Sequence, residues 1–321
     1  MEKYIVSSSP HIHTDETVSG IMRDVLIALL PACISGVLFF GFRSIVVILT
    51  AIAACMVSEW AFEKICKKTV TVTDLSAAVT GMLLGLNMPP GAPLWMVVVG
   101  SVFAIVVVKQ LYGGLGKNFL NPALAGRCFM LIAWAGTLTT FAPAAFVSPD
   151  AVSGATPLAV MKGSAEGTLP SLLGAFLGAQ SGCIGETSSL ALILGFLYLL
   201  WKRVINCRIP AAYLISFAVL TFLFGKNGEM NAGYYTALQL CSGGILLGAF
   251  FMATDYVTTP TTTLGHIVFG IGCGVLTFVI RQFGGYPEGT SFAILLMNVA
   301  SPLIERATVP KSFGYEGGKA K

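Results

Sequence analysis

Apolar residues fill this chain in long blocks, and polar residues collect in the short stretches between them. A helix needs ~20 such residues to cross the hydrocarbon core of a bilayer. Ten blocks approach that length: residues 24–41, 44–62, 74–88, 93–111 and 121–138, then 188–205, 211–225, 237–252, 264–280 and 290–307. The stretch 171–187, "SLLGAFLGAQSGCIGET", is apolar but broken by glycine and too short to cross, which predicts a re-entrant or interfacial segment. The pattern therefore predicts an all-α polytopic membrane protein of about ten transmembrane helices.

The blocks fall into two groups of five. A cytoplasmic N-terminal segment (1–23) leads into a first five-helix unit (24–138). A long loop with the re-entrant segment (139–187), a second unit (188–307) and a cytoplasmic tail (308–321) follow. "GMLLGLNM" from Gly81 matches "GILLGAFF" from Gly244, Pro89 pairs with Pro260, and "LYGG" ending at Gly114 pairs with "QFGG" ending at Gly285. Five crossings reverse the chain direction, so two such units would lie inverted. The third span of each is short and Gly-interrupted, and paired broken helices of this kind point to a site near the bilayer midplane.

Composition supports the membrane reading. Apolar residues make up 55% of the 321 and charged residues 11%, against about 25% charged in soluble domains. Mean hydropathy is +0.81. The opening "MEKYIVSSSPHIHTDET" has no signal-peptide core, so the first apolar helix is expected to be retained. Lys and Arg collect on the cytoplasmic side. With the N-terminus inside, only Arg43, Lys162, Lys226 and Arg281 fall outside, Arg127 lies within a span, and the rest are inside. Both termini are thus expected in the cytoplasm and the 139–187 loop outside. The net charge of +4 reflects this asymmetry and gives no reason to invoke nucleic acid.

Little in the sequence suggests catalysis by the chain alone. None of the eight cysteines is spaced as CxxC, and nearly all lie in or beside apolar blocks, as packing residues do. No metal site is predicted. His11, His13 and His266 form no acid–base constellation. The outer loop carries "DAVSGATP" from Asp150. Gly154 permits close approach of a large group, Pro157 bars the chain from continuing directly into a hydrogen-bonded element, and Thr156 offers a hydroxyl. On its own the string also reads as an ordinary loop.

"DAVSGAT" resembles the Asp-x-x-Ser-Gly-Ala-Thr form on which flavin transferases attach FMN to threonine. "SSSPHIHTDETVSGIMRDVLIALLPA", "KNFLNPALAGR" and "ATDYVTTPTTTLGHIVFGIGCG" resemble signature stretches of RnfD, a membrane component of the Rnf electron-transport complex. The resemblance covers essentially the whole chain and extends more distantly to NqrB, its counterpart in the sodium-translocating NADH:quinone reductase. It implies FMN in phosphoester linkage to Thr156, with Asp150, Ser153, Gly154 and Ala155 as recognition positions. It also leaves room for a second, non-covalent flavin. The implied activity is that of a ferredoxin:NAD oxidoreductase moving Na⁺ or H⁺ across the cell membrane. Expected partners are the other Rnf components (A, B, C, E and G), plus a flavin transferase for maturation.

Polar groups at membrane depth are costly and therefore usually functional. Asp255 with Thr258 and Thr259, flanked by Thr254 and Thr261, is the richest oxygen cluster and a candidate ion path, set against a helix-capping role. At Asp74, Asn87 and Glu186 the cap reading prevails, and Arg127 is placed near the flavin phosphate. Rival readings are the quinone-reductase component, a non-redox inverted-repeat transporter, and a channel suggested by "NPAL" at Asn121. A single Asn-Pro box, also a common helix start, argues against the channel.

Overall fold

The computed structural model describes residues 16–141, 154–226, 228 and 230–310. Among these, helix is the only regular structure apart from an isolated bridge between Phe141 and Gly154. Every apolar block contains a helix. In the first half these are Val18–Phe40 (α1), Phe42–Ile65 (α2), Ser76–Leu86 (α3), Leu94–Val102 (α4), Pro122–Ala133 (α5) and the short Ala135–Leu138 (α6). Pro157–Met161 (α7) and Leu172–Leu177 (α8) lie in the connecting region. Ser189–Trp201 (α9), Arg208–Phe224 (α10), Ala232–Cys241 (α11), Ile245–Leu247 (α12), Thr263–Phe283 (α13) and Thr290–Thr308 (α14) complete the chain.

By length and composition, α1, α2 and α13 can each cross a membrane. A fourth span exists if α11 and the stretch Ile245–Met252, bent by 65°, count as one. Helices α3, α4, α5 and α9 are shorter than their apolar blocks, whereas α10 and α14 fill theirs, because caps and breaks set helix ends where hydropathy alone does not. Helix α1 starts ahead of its block, where the Thr17 hydroxyl accepts the Gly20 amide at 3.1 Å. Helix α5 starts at Asn121, whose Oδ1 accepts the amides of Ala123 and Leu124, with Pro122 at its first position. Two stretches continue α4 and α12 as π-helical turns, Phe103–Gln110 and Gly248–Met252.

Small residues bring the helices together. An ideal Cβ on Gly81 of α3 would lie 2.6 Å from Ile52 Cα and 2.7 Å from the Ala51 carbonyl, so α3 meets the backbone of α2 directly. Gly195 of α9 approaches the Ala28 carbonyl of α1, and Gly274 of α13 the backbone of α10. Close backbone approach through small residues is the usual way helices associate where lipid offers no hydrophobic drive.

Helix α3 stops at Asn87, and the Pro- and Gly-containing stretch 88–93 follows. The segment before α9 lies on this end: the Ile184 amide donates to the Met88 carbonyl (3.0 Å) and the Gly185 amide to the Leu86 carbonyl (2.8 Å). Carbonyls left open by the helix end are satisfied this way. Lys109, assigned by sequence to the inner side, is buried and paired with Glu59 at 2.6 Å, donating also to Ser76 Oγ. The π-helical turn that carries Lys109 packs against α2, which supplies Glu59 and Glu63.

Candidate functional site

Asn87 caps the C-terminus of α3, and its amide nitrogen donates back to the Leu83 carbonyl at 2.7 Å. Its oxygen is left to accept from Arg127 Nη1 at 2.6 Å. Arg127, on α5, also donates from Nη1 to Glu186 Oε1 (2.7 Å) and from Nη2 to Glu288 Oε2 (2.6 Å). Three distant parts of the chain thus meet on one guanidinium: the end of α3, the segment before α9, and the segment before α14. Gly244, at the break between α11 and α12, makes the convergence possible. A Cβ there would lie 2.5 Å from Glu288 Oε1 and 2.7 Å from Glu186 Oε1.

This cluster faces a cavity of about 360 Å³, whose wall also includes Thr156, Gly154 and Ala155. The volume lies within the 300–1,000 Å³ typical of small-molecule and cofactor sites. Tyr286 and Phe292, stacked with centroids 5.7 Å apart, form part of the wall. The Gly154 amide donates to the Phe141 carbonyl (2.9 Å), and Pro157 and Leu158 are buried. Thr156 is half-buried and caps α7, its hydroxyl accepting the Ala159 amide at 3.3 Å. Lys162 fastens the segment by donating to the carbonyls of Gly284 and Tyr286. Partial burial lowers the Lys162 ammonium from its ordinary value, and the like charge of Lys226 acts in the same direction.

A hydroxyl on the wall, small residues beside it, aromatic rings and a guanidinium that lines the same cavity form a set that suits a flavin phosphoester. Of the sequence-predicted positions, Thr156, Gly154 and Ala155 are brought together here. Asp150 and Ser153 lie outside the described residues, as do His11 and His13. Arg127, expected near the flavin phosphate, shares the cavity with Thr156. The cap reading of Glu186 is not what the structure shows, since its carboxylate pairs with Arg127. For Asp74 that reading holds, because Oδ1 accepts the Ser76 amide at 2.7 Å as α3 begins. Asn87 is a cap with a second partner. Glu288 is the member that sequence reasoning misses, and its only trace there is an acid in the turn "GGYPEGTS".

The Asp255 cluster lies elsewhere, along a second cavity of about 100 Å³ that Lys109, Asn118 and Asn121 also line. Asp255 Oδ2 accepts from the Thr258 hydroxyl (3.2 Å), and the Thr259 hydroxyl donates to the Asp255 carbonyl (2.8 Å). These bonds are local to one turn.

The family described as NQR2, RnfD, RnfE matches residues 5–314. Among similar relatives, the D component of the Na⁺-translocating ferredoxin:NAD⁺ oxidoreductase complex of Acetobacterium woodii is 48% identical over 311 residues, 96% of this chain and 95% of the relative. The D component of the proton-translocating ferredoxin:NAD⁺ oxidoreductase complex of Clostridium ljungdahlii is 43% identical, covering 97% and 96%. The D component of the ion-translocating oxidoreductase complex of Escherichia coli is 36% identical, covering 98% and 99%.

Proposed function

Since this chain belongs to the NQR2, RnfD, RnfE family, we propose that it is the membrane-embedded D component of an ion-translocating ferredoxin:NAD⁺ oxidoreductase, carrying FMN in phosphoester linkage on Thr156. The observation that carries the cofactor assignment is the placement of Thr156 on the wall of a cavity of about 360 Å³ that Arg127 also lines. FMN bound there would supply an acceptor and donor of one or two electrons. The protein's share is placement. Thr156 tethers, Lys162 fastens the segment, and Arg127 with its carboxylates fixes the charge beneath it.

In this reading the chain crosses the cell membrane ten times as two inverted five-helix units, with both termini in the cytoplasm and Thr156 outside. The Lys and Arg distribution and the paired breaks at the ends of α3 and α11 support it. The Rnf components A, B, C, E and G would be its partners in the complex, and a flavin transferase would load it. Electron relay would be coupled to movement of Na⁺ or H⁺, with Asp255, Thr258 and Thr259 on the candidate ion path. A second, non-covalent flavin is part of the same reading, with no residues assigned to it.

A denaturing gel of membranes under ultraviolet light tests the assignment, with the chain co-produced with a flavin transferase. The wild type is expected to give a fluorescent band at the size of this chain. Thr156→Val should lose it, because valine keeps the shape and removes the oxygen. A dark wild-type band, with the transferase active on another substrate, would move a non-redox transporter to the front.

A further inference from the structure

Two carboxylates share one guanidinium in the cavity that Thr156 lines, and they are not equivalent. Glu288 has a donor on each oxygen: the Gly244 amide on Oε1 and Arg127 Nη2 on Oε2. Glu186 receives Arg127 Nη1 on Oε1, and its other side-chain hydrogen-bonding neighbour is the Cys183 thiol. Both acids crowd Gly244, and like charges that close resist ionising together.

The titratable surroundings of Glu186 come from several elements. Helix α5 brings Arg127, with Cys128 beside it, and its own segment brings Cys183. The lead into α14 brings Glu288. Helix α13 brings Arg281, which lies behind Gly243 and donates to the carbonyls of Gln239 and Ser242. Helix α3 contributes only the Asn87 amide, and Lys162 is engaged with the carbonyls of Gly284 and Tyr286. Burial pushes the Glu186 carboxyl above the usual carboxylate range. Burial acts the same way on Glu288, but Arg127 and Arg281 outweigh it and hold that group low. Glu186 is therefore the member of the pair that can carry a proton.

We propose that Glu186 is the proton-exchanging group of this cavity, binding a proton when the redox ligand held there gains an electron and releasing it when the electron leaves. Added negative charge nearby raises the proton affinity of a carboxylate. On reduction, an O–H bond forms at the Glu186 oxygen that Arg127 leaves open. Its proton comes from the outer water, and the electron comes from a low-potential donor in a neighbouring redox protein of the complex. On oxidation that O–H bond breaks and the proton returns to water. The inference rests on the FMN assignment and adds a role for a residue that would otherwise be only a structural partner of Arg127.

The test is a dithionite titration of the covalent flavin in the purified complex, followed by absorbance at a series of pH values. The midpoint potential should fall with rising pH more steeply in wild type than in Glu186→Gln, and Glu186→Asp should restore the steeper slope. Protonation of the flavin itself contributes to all three, so the difference isolates Glu186. Equal slopes in wild type and Glu186→Gln, with the fluorescent band present in both, would overturn the proposal and leave the FMN assignment standing. A wild-type protein without the band would overturn both. If Glu186→Gln does not assemble, infrared difference spectra of the unaltered protein decide. A carboxylic-acid C=O band appearing on reduction supports the proposal, and its absence overturns it.

Discussion

Replacing Arg127 with methionine is expected to destabilise the fold by about 3–5 kcal/mol, the range seen when one partner of a buried ion pair is removed. The side chain is 11% exposed, Glu186 4% and Glu288 19%. Methionine fills much of the space and removes all the donors. Two carboxylates and the Asn87 oxygen would then face each other without their shared partner, and that uncompensated charge is what is costly. Chemical denaturation in detergent should show the loss. Adding Glu186→Gln and Glu288→Gln to the same chain should recover part of it, because the unpaired charges go with the guanidinium. A change below about 1 kcal/mol would match an exposed pair instead and would contradict the picture of a buried ion-pair cluster.

Gly81→Leu is expected to be of similar severity for a different reason. Its Cβ would meet the α2 backbone at Ile52 and Ala51, at 2.6 and 2.7 Å, and backbone cannot rotate away as a side chain can. Overpacking in a well-filled core costs typically 1–3 kcal/mol and occasionally more. The upper part of that range is expected here, because α2 and α3 must separate along their length. Gly91→Ala is the control, since nothing lies within 4 Å of a Cβ there. It should stay within about 0.5 kcal/mol of wild type, as surface changes do. Melting temperatures of the two variants in the same detergent make the comparison.

The sequence is most informative where a single property repeats along the chain. Apolar blocks locate the helices because burial in lipid or protein imposes the same demand over a whole span. Their ends shift where one side chain decides: Thr17 draws α1 forward, and Asn121 with Pro122 fixes the start of α5. Arg127 stands out because a lone cation in an apolar block is conspicuous. Glu288 does not, because an acid in a turn looks like any solvated loop residue. Its role exists only once the lead into α14 is folded against α5 and Gly244 lets the carboxylate approach. Lys109 shows the converse. It reads as one more inner-side charge at the end of its block, and the π-helical turn that carries it packs on α2, where Glu59 pairs with it. Pairing across helices is a property of the packing angle, and no local pattern records it.

The central claim is that Thr156 carries FMN, and peptide mass spectrometry of the purified protein tests it most directly. Trypsin should release the stretch between Arg127 and Lys162, which holds Thr156 together with Thr137, Thr139 and Thr140. The account predicts that this peptide carries the mass of one FMN less water, and that fragmentation places it on Thr156. An unmodified peptide from a host whose flavin transferase is active on another substrate, or a flavin placed on one of the other threonines, would contradict it.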